Sequence, residues 1–103
     1  MMEGNYKYTG PESLADFLAK KYLRIFEYRQ EQGILRNDPC HIFHGILDGF
    51  KFAGLLTLYQ WDCLREMIDN ARGLIPELAI DPQTDYDTLM EMVMRILNKP
   101  ERD

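Results

Sequence analysis

Four stretches of helical periodicity, each opened by a capping signal, predict an all-α fold. No strand-like alternation or internal repeat competes with them. The expected architecture is a compact bundle of four main helices at about 12–32, 39–53, 58–72 and 86–98. With 103 residues, 46% hydrophobic and 28% charged, the chain has the size and composition of one globular domain. That domain is read as 1–103, with a flexible arm at 1–9 and a tail at 99–103.

The first helix is announced by Thr9 and, three residues on, Glu12, the spacing of a capping box, with Pro11 suited to a first turn. Gly33 is its expected stop. At 100° steps, Leu14, Phe17, Leu18, Tyr22, Leu23, Ile25, Phe26 and Tyr28 cover well over half of its circumference. Only Asp16, Lys20, Arg24, Glu27 and Glu31 remain as a polar strip. A helix apolar on so many sides is either central to the bundle or meets a second molecule. A homodimer through this helix is therefore one expectation.

Asp38 followed by Pro39 marks the second start. Ile42, Phe43, Ile46, Leu47, Phe50 and Ala53 share one face, with Gly45 and Gly49 on the opposite flank. Each interior glycine weakens a helix by roughly 1 kcal/mol, so close approach of another helix would explain the pair. Gly54 is the break. In the third helix, Thr57 and Gln60 form a capping box, and Leu56 and Trp61 a hydrophobic staple. Trp61, Leu64, Ile68 and Ala71 recur at helical spacing, flanked by Met67 and Leu58, and Gly73 supplies the left-handed stop. Trp61 is expected at the centre of the core.

The connection after Gly73 holds Pro76 and Pro82, and its Leu74, Ile75, Leu78 and Ile80 are expected to pack over the core. Asp85 or Thr84 caps the last helix. Leu89, Met92, Val93, Ile96 and Leu97 form its inner face, and Met90 and Met94 widen the arc.

Composition narrows the function classes. No apolar run approaches the roughly 20 residues of a membrane helix. MMEGNYKYTG has neither a basic n-region nor an apolar h-region, so no secretory signal is expected. Cys40 and Cys63 read as reduced thiols of a cytoplasmic protein. A net charge of −5, with Lys20, Lys21 and Arg24 as the single basic cluster, speaks against direct nucleic-acid binding. A helix-turn-helix built on the third helix would point Asp62, Glu66 and Asp69 at phosphates.

Catalytic signals are thin. All-α nucleotide pyrophosphohydrolases hold Mg²⁺ with two carboxylate pairs, and here Glu66-x-x-Asp69 stands without an upstream E-x-x-E. Ser13 is the one serine and has no neighbouring histidine, and no Gly-rich phosphate loop is present. His41, His44 and Asp48 fall within about 60° on the second helix and, with Cys40 or Cys63, are the metal candidates of a minimal metal-binding protein or small all-α enzyme. No cofactor is expected.

Charge patterning gives the leading functional expectation. Between Arg72 and Arg95 there is no base, while Glu77, Asp81, Asp85, Asp87 and Glu91 supply five acids. With the adaptable Met90 and Met94, and Leu23 and Tyr28 on the first helix, they compose a candidate partner-binding surface. The expected role is that of a small acidic protein–protein interaction module, an adaptor, regulator or inhibitor of the kind mobile elements encode. Its partner would be basic, for instance the nucleic-acid-binding groove of another protein, and catalysis is not expected.

Overall fold

The computed structural model describes residues 9–31 and 38–99. They form four α-helices, α1 (Pro11–Glu31), α2 (Pro39–Phe52), α3 (Leu58–Arg72) and α4 (Tyr86–Leu97), with a 3₁₀ turn at Pro76–Leu78. The expected arm before Thr9, the stop at Gly33 and the residues after Lys99 lie outside the described residues.

Three of the four starts use the side chains their sequences advertise. Asp38 accepts from the Cys40 amide at 2.9 Å, and Asp85 from the Thr88 amide at 2.9 Å. Thr57 Oγ1 accepts from the Gln60 amide at 3.1 Å, while Gln60 Oε1 accepts from the Thr57 amide at 2.9 Å, closing the capping box. The Gln60 amide group also donates to the Leu97 carbonyl at 3.0 Å, tying the start of α3 to the end of α4. The first start differs from expectation. The Gly10 carbonyl accepts from Leu14, and the Thr9 amide turns to Ser13 Oγ rather than to Glu12. Pro11 therefore occupies the first helical position, one residue after the cap.

α1 is central. It packs on all three other helices, most extensively on α4; α3 also packs on all three, whereas α2 and α4 share no comparable interface. This accounts for the broad apolar arc of α1, since Leu14, Ala15, Leu18, Ala19, Tyr22, Ile25 and Phe26 are all buried within the one chain. Tyr22 is the largest side chain wholly out of water. Its ring meets Phe43 edge-on at 4.7 Å between centroids, and its hydroxyl donates to the Leu64 carbonyl at 2.8 Å, so the buried polar atom is satisfied.

Four core expectations are corrected. Trp61 is only half-buried, because its indole N–H turns outward to Asp48 Oδ1 at 2.9 Å, and Tyr22 holds the centre instead. Gly45 and Gly49 have no neighbour within 4 Å of a would-be Cβ, so none of the described helices approaches them closely. Ile42 and Leu58, placed on inner stripes by periodicity, are exposed. Leu74, Ile75 and Leu78 do not cover the core, and among the aliphatics of that connection only Ile80 packs against it.

Candidate interaction surface

The segment after α3 is short of core contacts and rich in restraints. α3 ends where Gly73 adopts φ +78°, which lets its amide reach back to the Asn70 carbonyl. The Arg29 guanidinium lies against this turn, 3.1–3.2 Å from where a Gly73 Cβ would sit. From there Arg29 Nη1 donates to the Ala71 carbonyl at 2.8 Å and to the Ile80 carbonyl at 2.9 Å. The Ile80 amide in turn donates to the Asn70 carbonyl at 3.0 Å. One cation of α1 thus closes both ends of the excursion from Leu74 to Ala79, and the Pro76–Leu78 turn shapes its middle.

The excursion offers apolar surface to water: Leu74 is 57%, Ile75 45% and Leu78 54% exposed. Three exposed aliphatics within five residues, on a segment held at both ends, make this stretch a candidate contact surface. Glu77 stands among the three and Asp81 follows, both exposed.

The other acids are placed differently from one another. Asp85 is the N-cap of α4, and its hydrogen bonds from Thr88 hold the carboxyl below the usual carboxylate range. Asp81 Oδ1 accepts from the Gln83 amide at 2.9 Å, so this side chain also shapes a turn. Asp87 and Glu91 are exposed, and with Thr88, Met90 and Met94 they line a shallow depression on the outside of α4. Met90 and Met94 rest partly on the core. Leu23 and Tyr28 are half-buried on α1, so the surface gathers around the connection and α4 more than around α1.

Two of the metal candidates, His44 and Asp48, are engaged by side chains of α3. His44 Nδ1 faces Arg65 Nε at 3.4 Å, and burial, then the Arg65 charge, push its pKa below the ordinary histidine value. Asp48 accepts from Trp61, and His41 is exposed. Cys40 is buried, which raises its thiol to about 12; it is a free thiol, as is the half-buried Cys63. Among the described residues no three His, Cys, Asp or Glu side chains are grouped to hold a metal ion.

Asp16 is a further paired acid. Tyr86 donates its hydroxyl to Asp16 Oδ1, and Lys20 approaches the other oxygen at 3.2 Å. The Tyr86 bond is the main cause that lowers the Asp16 pKa, and it raises that of Tyr86 to about 12.

Arg29 is the residue that sequence reading missed. Its partners lie 42 and 51 positions away, and a lone Arg near a helix end reads as an ordinary charge on the dipole. No protein-family model matches the chain, and no curated protein or solved structure matches it.

Proposed function

We propose that this chain is a protein-interaction module that docks through the Leu74–Leu78 excursion and the acidic outer face of α4. The observation that carries the reading is the conjunction of three exposed aliphatics and Glu77 on an Arg29-clamped segment, with the exposed acids Asp87 and Glu91 on the outside of α4. The aliphatics supply the area that desolvates, and the acids supply orientation and a faster encounter. The partner presents an apolar groove rimmed by Lys or Arg; the basic nucleic-acid-binding groove of another protein has this character. No helix among the described residues is long and apolar enough to cross a membrane. A cytoplasmic setting suits two free thiols. The role needs neither catalysis nor cofactor.

The test is affinity capture with three baits: wild type, Leu74→Ser/Leu78→Ser, and Glu77→Lys/Asp87→Lys. Every substituted position is exposed, so thermal midpoints should stay near wild type. A true partner is retained by wild type, is lost from both variants, and elutes as salt rises. A partner that both variants retain at wild-type levels overturns the reading.

A further inference from the structure

The outward face of α2 has a second property that the docking surface does not use. In this helix every exposed residue except His41 is uncharged and apolar or glycine: Ile42, Gly45, Gly49 and Phe52, with Ala53 following at the cap. Phe52 is 83% and Ile42 51% exposed. The two formal charges of α2 turn aside to Trp61, Asp48 by accepting the indole N–H and Lys51 by placing Nζ 3.8 Å from the ring centroid. Lys51 borders the face only at the Phe52 ring, at 5.3 Å.

At 100° per residue, Ile42, Gly45, Gly49 and Phe52 fall within about 80° of arc. Their order is symmetric about position 47, with a large residue at each end and a glycine inside each. Two such helices run antiparallel across a two-fold axis set Ile42 against Phe52 and Gly45 against Gly49, at both ends alike. That is the requirement of an isologous contact, in which each residue meets the residue that meets it. The glycines let the backbones close and give the large end residues room to overlap. Nothing among the described residues asks for them, since a Cβ at either would meet open space.

We infer that α2 is a self-association face, pairing two copies of this chain antiparallel through Ile42, Gly45, Gly49 and Phe52. A second copy fits better than the basic partner proposed above, because this face offers no acid to a base. In a chain of net charge −5 it is also where two copies repel least. From Ile42 to Phe52 the face is only about 15 Å long, the small end of interfaces, so dimerisation is weak and follows concentration.

Sedimentation equilibrium over a concentration series up to millimolar tests this, with wild type, Phe52→Glu, Ile42→Lys and the double variant. Wild type shifts from monomer to dimer. Each single variant raises the dissociation constant about tenfold or more. Ile42→Lys does so although it lowers the net negative charge, which separates the face from bulk repulsion. In the double variant the lysine introduced at position 42 meets the glutamate introduced at position 52 of the other copy, and association returns towards wild type. A wild type that stays monomeric overturns the inference, as does a dimer indifferent to Phe52→Glu. Single variants that dissociate with no recovery in the double overturn the antiparallel register. Phe52 is exposed enough for its variants to fold; should Ile42→Lys lose helical signal, the reversed pair Ile42→Glu/Phe52→Lys carries the same exchange.

Discussion

Tyr22 is the residue on which core packing and polar satisfaction coincide. Removing its hydroxyl deletes the bond to the Leu64 carbonyl while keeping the ring against Phe43, so Tyr22→Phe should cost about 1 kcal/mol. Tyr22→Ala should cost about 3–5 kcal/mol, as large buried truncations do. Denaturant midpoints at constant m-value check both. His44 sets a pH dependence. Its folded pKa lies below the unfolded value, so its contribution is complete above about pH 6.5 and is lost as pH falls through the folded value. His44→Gln should flatten the fall in stability that begins below about pH 6.5; an unchanged acid limb would assign the loss to other groups. Trp61 shows why residue roles were only partly legible. Its spacing placed it on an inner stripe, with Arg65 one turn on and 4.7 Å from its ring, but the Asp48 acceptor and the Lys51 cation 3.8 Å from the ring come from α2, a tertiary placement that periodicity does not encode. They draw a half-polar ring to the core's edge.

At the scale of elements, caps were the most readable feature because their chemistry is local. In their capping roles Thr57, Gln60, Asp38, Asp85 and Gly73 all act within four residues of themselves, and all hold the positions their sequence implies. Thr57→Ala should lower stability by about 1 kcal/mol, read as a drop in thermal midpoint. Gly73→Ala should cost more than that, since φ +78° strains any Cβ and the Arg29 guanidinium occupies the space it would enter. A Gly73→Ala midpoint equal to wild type would mean that the turn after α3 relaxes freely. The start of α1 was misread for a related reason. Thr9 and Glu12 had capping-box spacing, but Gly10 and Pro11 between them already fix where the helix begins. The connection after α3 was misread because apolar content alone does not distinguish a segment folded onto a core from one held off it.

At the scale of the whole molecule, α1 works as both spine and clamp, and the two tasks separate along its length. Its buried face organises the other three helices, while Arg29 in its last turn reaches out to the Ala71 and Ile80 carbonyls. Because the packing of α1 rests on its buried side chains from Leu14 to Phe26, and not on that guanidinium, removing it should leave the bundle standing and release the excursion. Arg29→Ala is therefore expected to retain helical circular dichroism and to speed amide exchange at Ile80 and Gly73, with Leu89 and Val93 unchanged. Exchange reports local opening, so the contrast between the two sets is the measurement. If the Leu74–Leu78 aliphatics bind a partner in the clamped shape, the same variant weakens that binding although no docking residue has changed, since the ordering that Arg29 provides must then be supplied on association. Unchanged exchange at Ile80 would show that the prolines and the 3₁₀ turn hold the segment unaided, and the long-range guanidinium bonds would lose their role in presenting the surface.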